Sequence, residues 1–181
     1  MKTEIHYFVH GTTSDNENNR ATGWQHGRLS QSGMMQTIES AKITRNLFFD
    51  AIFCSDLFRA KQTANLLFDT KKNKMIYDKR LRECNYGIFN GASKEKVNYL
   101  EHIEKKFEKG ESLVDVETRI RMFLSDLNHN FKTIALISHR APQLALEVCI
   151  NKNKWVDAIK NDWRKNGKWQ LFWKYDYHHL P

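Results

Sequence analysis

EIHYFVHGTTSDN, residues Glu4 to Asn16, changes character at His10-Gly11. Ile5 to Val9 is apolar and aromatic with His6 among it, which predicts a buried strand, and the glycine followed by Thr, Ser, Asp and Asn predicts its end. His10 then stands at a strand's carboxyl end, where the loops of an open α/β sheet converge on a crevice and leave backbone N–H groups unpaired. A lone histidine there ordinarily does no more than end a strand. Its meaning depends on what the rest of the chain brings to the same place.

Outward from that strand, Thr12 to Arg28 is a long polar loop, of a length that usually lines a site. From Gly33 the spacing of Met34, Ile38, Ala41 and Phe48 predicts a helix capped by Ser30 or Ser32, its apolar stripe on the sheet. Ala51 to Cys54 reads as a second buried strand. The helix after it carries Leu57, Ala60, Ala64, Leu67 and Phe68, which puts Arg59 and Thr63 near its start, where a cation is well placed for an anion. Cys54 to Arg59 resembles the C-x5-R phosphate loop of cysteine phosphatases but is one residue short and lacks glycines, so Cys54 is expected in the core.

A short strand is expected at Met75 to Tyr77. Glu83 follows, with Leu81, Ile88 and Phe89 nearby, and a carboxyl held against apolar groups suits a general acid. Ser93 to Lys109 is charged and reads as a helical surface lid. Ser112 with Asp115 forms a capping box for a helix carrying Leu113, Val116, Ile120, Phe123, Leu124 and Leu127. Thr133 to Ser138 is the most strand-like run in the chain and ends at His139, repeating the break at His10. Pro142 is expected at the first position of the next helix, which covers Leu144 to Ile150. The C-terminal part, from Trp155, holds four of the five tryptophans and an expected strand at Trp169 to Tyr175; His178 and His179 read as tail residues.

The 181 residues are 40% hydrophobic with two prolines, which predicts one domain over 1–181. No run approaches the roughly 18 apolar residues of a membrane span, and the N-terminus enters a strand without a leader pattern, so no membrane partner and a cytoplasmic location are expected. Cys54, Cys84 and Cys149 form no CxxC pair and are odd in number, as reduced thiols would be. The net charge of +8 points to an anionic partner. Because Lys71-Lys72-Asn73-Lys74, Lys105-Lys106 and Lys152-Asn153-Lys154 are scattered and no RNA-binding or helix-turn-helix pattern accompanies them, a phosphorylated small molecule is expected rather than nucleic acid. Oligomeric state is left open.

With both histidines placed, the chain resembles the histidine phosphatase superfamily, the phosphoglycerate mutase-like fold, over roughly Ile5 to Ile150. His10-Gly11-Thr12-Thr13 with Asn16 is similar to its R-H-G-x-T opening and following asparagine. Thr22-Gly23-Trp24 and Leu29-Ser30-Gln31-Ser32-Gly33 resemble its T-G-W and L-S-x-x-G segments, and Ser55 to Ala64 its S-x-L-x-R-A-x-Q-T-A signature. Arg80-Leu81-Arg82-Glu83 with Tyr86-Gly87, Gly110-Glu111-Ser112, and Ile137-Ser138-His139 follow in the family's order. The resemblance implies a three-layer α/β sandwich, a central mostly parallel sheet with helices on both faces. It also implies a metal-independent phosphomonoesterase with no cofactor, acting on a small phosphorylated metabolite. His10 is the implied nucleophile, Arg59 and protonated His139 the cations beside the phosphoryl group, and Glu83 the acid and then the base. Gly11, Asn16, Thr22, Gly23, Tyr86 and Arg140 are the implied substrate-binding residues.

Two departures stand out. Val9 replaces the arginine that precedes the first histidine, and Arg140 replaces the small residue after the second. Arg140 is expected to supply the missing charge, with Arg20 second. A family mutase is disfavoured because 181 residues leave little room for an inserted cap. The alternative is a non-catalytic phosphate-binding or regulatory protein of the same fold, impaired by Val9.

Overall fold

In the first strand, Ile5 and Tyr7 belong to one apolar cluster and Phe8 to another, so both faces of the sheet are covered. The computed structural model describes residues 1–69, 74–167 and 170–179; Lys71-Lys72-Asn73 and Trp169 lie outside them. The strands are β1 (Lys2–Val9), β2 (Arg20–Ala21), β3 (Ala51–Cys54), β4 (Met75–Tyr77), β5 (Ala92–Ser93), β6 (Thr133–Ser138) and β7 (Trp173–His178). The helices are α1 (Ser14–Glu17), α2 (Gln31–Thr44), α3 (Phe58–Leu67), α4 (Leu113–Ser125), α5 (Arg140–Cys149), α6 (Trp155–Lys160) and α7 (Trp163–Asn166).

The described residues form a five-stranded sheet in the order β4-β3-β6-β1-β7, parallel except for β7. Ile134 and Leu136 of β6 join Val116, Ile120 and Phe123 of α4 and Leu144 and Ala145 of α5 on one face. Ala135 and Ile137 join Ala60, Ala64 and Leu67 of α3 on the other. The result is the expected three-layer α/β sandwich. β1 and β6 lie side by side with Val9 opposite Ser138, so His10 and His139 leave the sheet at the same level. Truncating a fully buried aliphatic in this layer, Leu136→Ala, is expected to cost about 2–5 kcal/mol in urea unfolding; a loss under about 1 kcal/mol would contradict the packing described.

Four expectations need correction. α2 does not lay Met34 and Ile38 on the sheet, and Phe48 lies beyond its end; the three are 36%, 50% and 90% exposed. Its buried residues are Gly33, Thr37, Ala41 and Thr44, and Thr44 Oγ1 donates to the Leu67 carbonyl of α3 at 2.8 Å. Small side chains let this helix approach α3 closely, so the small face turned inward and the larger apolar one outward. Residues 93–109 form short 3₁₀ turns rather than an α-helix, because Tyr99 and Phe107 anchor them in the core. α5 starts at Arg140, two residues before Pro142, which still sits in the first turn, where no intrahelical N–H partner is needed. His179 is no tail residue: it is buried, its ring nitrogen is 2.8 Å from Thr3 Oγ1, and its ring packs on Tyr177.

Candidate active site

β1 ends at Val9 because Gly11 must pass close to α2: a Cβ there would meet Thr37 Oγ1 at 2.6 Å and the Gly33 carbonyl at 3.0 Å. The Gly11 N–H donates to Thr63 Oγ1 at 3.0 Å, which ties the chain after His10 to α3. His10 Nδ1 lies 2.7 Å from the Gly11 carbonyl. A carbonyl only accepts, so the proton sits on Nδ1 and the lone pair on Nε2. Burial pushes this imidazole down to about 3, and the adjacent Arg59 charge adds to the shift. At neutral pH the ring is therefore held neutral, with its Nε2 lone pair carrying no proton.

Arg59, in the first turn of α3, is 2% exposed. Its Nε donates to His10 Nε2 at 3.3 Å, Nη1 to the Gln25 carbonyl at 3.2 Å and Nη2 to the Gly23 carbonyl at 2.8 Å. Among the described residues its hydrogen-bond partners are two carbonyls and a neutral ring, none of them a carboxylate. A buried cation so placed is unneutralised at close range and attracts an anion strongly. Gly23 sits at φ +54°, and a Cβ there would meet Asn90 Oδ1 at 1.9 Å, so a glycine is required to aim that carbonyl at Arg59.

His139 is fully buried, with its ring centroid 5.0 Å from that of His10. Its Nε2 lies 2.8 Å from Ser55 Oγ, its carbonyl accepts from Tyr7 Oη, and its Nδ1 has no partner among the described residues. Burial first, then Arg59 and His10, hold this ring well below the usual histidine range. In the free protein these surroundings disfavour the expected protonated His139.

Glu83 is held by polar rather than apolar neighbours. Its Oε1 accepts from the backbone N–H groups of Cys84 and Ala141, both at 2.9 Å, and its Oε2 from that of Arg140 at 3.2 Å. Ile88, expected against it, is 51% exposed. Its main chain is fixed as well: the Glu83 carbonyl accepts from Trp24 Nε1 at 2.7 Å and Arg119 Nη2 at 3.0 Å, and Arg119 is paired with Glu111 at 3.0 Å. Glu111 thus braces Glu83 from behind through Arg119, a contact that the Gly110-Glu111-Ser112 match did not specify.

His10, Gly11, Asn16, Thr22, Gly23, Arg59, Glu83, Tyr86 and Arg140, all singled out in the sequence, line one cavity of about 1270 Å³. Their duties differ. Asn16 Oδ1 accepts from the Thr13 N–H, Thr22 Oγ1 donates to Asp15 at 2.9 Å, and the Tyr86 hydroxyl meets that of Tyr99 at 2.7 Å, so these three also brace the walls. Arg140 Nε donates to Asp162 at 2.6 Å, and its guanidinium lies over the Tyr99 ring at 4.4 Å. Arg20, itself exposed, donates to the Gly91 carbonyl beside the β2–β5 pair. Cys54 is buried in the sheet, and burial pushes its thiol up, as a core residue requires. The cavity also takes in Trp163, Arg164 and Trp173. Sequence reasoning missed these, since a lone Asp162-Trp163-Arg164 run carries no periodic or motif signal.

Residues 7–161 match the family model for the histidine phosphatase superfamily, branch 1. Fructose-2,6-bisphosphatase TIGAR B of Danio rerio is 31% identical over 55% of this chain, and the match spans 42% of that relative's length. The Escherichia coli protein named "Probable phosphoglycerate mutase GpmB" is 26% identical, with 75% of this chain and 69% of that one covered. Among solved structures, a mycobacterial glucosyl-3-phosphoglycerate phosphatase in complex with VO3 superposes with a TM-score of 0.71 at 25% identity, over 87% of this chain and 85% of that one.

Proposed function

Because the chain belongs to the histidine phosphatase superfamily, branch 1, we propose that it is a metal-independent phosphomonoesterase working through a phosphohistidine on His10. One observation carries the reading: a neutral imidazole with its lone pair on Nε2 faces a buried, unneutralised Arg59, with a carboxyl group in the same cavity. Nε2 attacks phosphorus as the P–O ester bond breaks, and Glu83 delivers its proton to the leaving alkoxide. The ring gains positive charge as the P–N bond forms, and the Gly11 carbonyl, accepting from Nδ1, stabilises it. Arg59 donates to the phosphoryl oxygens, and His139, its ring centroid 5.0 Å from that of His10, stands beside them. In the second half Glu83 takes a proton from water, the water oxygen bonds phosphorus and the P–N bond breaks, releasing phosphate and restoring neutral His10.

A cavity of about 1270 Å³ exceeds a phosphate many times over and matches or exceeds the largest pockets for drug-sized ligands. Its walls mix Met35, Ile43, Leu171 and Trp173 with cationic side chains. This supports a phosphorylated metabolite with a leaving group of sugar or nucleoside size. The anion held by the mycobacterial structure, VO3, fits the same chemistry. The test is to trap the intermediate: incubation with excess p-nitrophenyl phosphate and an alkaline quench is expected to leave one phosphoryl group on the His10 peptide, lost on acidification. Turnover without that adduct, or an adduct on another residue, would overturn the mechanism.

A further inference from the structure

The charge balance at the cavity floor is incomplete. A phosphomonoester brings two negative charges, Arg59 supplies one positive charge, and both histidines are held neutral in the free protein. Other cations line the cavity, but most are engaged at its rim. Lys42 pairs with Glu39, Lys94 donates to the Asn16 carbonyl, Arg20 donates to the Gly91 carbonyl, and Lys165 is exposed. Arg140 is drawn toward Asp162 and Tyr99.

Arg164 differs. Trp163 stacks on Trp173 at 4.8 Å between centroids, and Trp173 pairs with Tyr7 in the β7–β1 ladder, three residues before His10. Trp163 Nε1 also donates to Gln143 of α5 at 3.1 Å. The residue after Trp163 is therefore delivered to the carboxyl ends of β1 and β6. Arg164 Nη1 donates to Asp162 at 2.9 Å and Nη2 to Gln143 at 2.9 Å, while its guanidinium lies 4.3 Å from the Trp163 ring centroid. The Asp162 side chain is 0% exposed and holds both Arg140 and Arg164, so the trio keeps one net positive charge. Burial dominates the ionisation of Tyr7, His10 and His139, and the field of Arg164 reaches all three.

We propose that Arg164, oriented by Asp162, Gln143 and Trp163, is the second phosphoryl-binding cation of this site and contacts the oxygens on the side away from Arg59. The inference deepens the phosphomonoesterase reading and rests on it. Two of the five guanidinium donors are used in the structure, which leaves others for the anion. Val9, apolar and packed against the core, contributes no charge from β1 itself, so the positive wall is built from the C-terminal side instead.

The test is calorimetric binding of inorganic phosphate, at two salt concentrations, to the full chain and to Arg164→Gln, Arg164→Lys and Arg45→Gln, an exposed residue that does not line the cavity. Arg164→Gln is expected to weaken binding about 10- to 100-fold, as loss of a hydrogen bond to a charged group does. It should also flatten the salt dependence. Arg164→Lys should recover part of the affinity, and Arg45→Gln should bind as wild type. Asp162 keeps Arg140 as partner in these variants, so folding is retained, and a thermal melt checks it. Phosphate binding by folded Arg164→Gln equal to wild type overturns this inference alone. Absence of phosphate binding by the wild type overturns the phosphomonoesterase reading and this inference together. Should Arg164→Gln not fold, Arg164→Lys decides: affinity lost entirely despite a retained positive charge contradicts a simple cationic role, and partial affinity supports it.

Discussion

His10→Ala is expected to lower kcat for p-nitrophenyl phosphate, assayed with chelator present, by about 10⁴-fold or more. The size follows from the lack of a substitute nucleophile around it among the described residues. Ser55 is buried and bound to His139 Nε2, the Cys54 thiol is buried and pushed up, and Thr63 Oγ1 both donates to the Arg59 carbonyl and accepts from Gly11. Arg59 stays in place, since the Gly23 and Gln25 carbonyls hold it without help from the imidazole. Phosphate affinity should therefore survive the substitution while turnover does not. Comparable turnover in both proteins would remove His10 from the mechanism. Phosphate binding with no turnover in either would favour a protein that uses the fold for binding alone.

Glu83→Gln is expected to reduce kcat about 10²- to 10⁴-fold on an alkyl phosphate and far less on p-nitrophenyl phosphate. Phenolate departs without a proton, whereas an alkoxide needs one. The amide also places N–H where Oε1 or Oε2 now accepts from the backbone of Cys84, Arg140 and Ala141, so a stability loss of about 1–3 kcal/mol accompanies it. Comparing two esters in one variant cancels that loss. An equal fall on both substrates would mean that Glu83 positions the loop rather than donating the proton.

The apolar runs at β1, β3 and β6 were legible because strands covered on both faces need continuous hydrophobic character, and each ends in a polar break. That legibility reached the site, since His10, Arg59 and His139 all follow such breaks. Residues 93–109 were misread as helical because polarity does not reveal that Tyr99 and Phe107 are drawn inward. α2 was misread for the opposite reason: periodicity counts large apolar side chains, while its contact with α3 selects small ones. Arg164 was invisible because its position depends on a ring stack between Trp163 and Trp173 and on one buried carboxylate, Asp162.

The pairing of β7 with β1 sets a timetable for synthesis. Lys2 faces His178 and Tyr7 faces Trp173, so the strand carrying His10, already paired with β6, gains its second neighbour from nearly the other end of the described chain. Such long-range pairing is slow compared with helix formation. At about 5–20 residues per second on the ribosome, His10, Arg59, Glu83 and His139 are all made before the flank bearing Trp173. A nascent chain stopped before β7 carries every one of those four residues but lacks the Trp163–Trp173 stack, which forms only once β7 has been made.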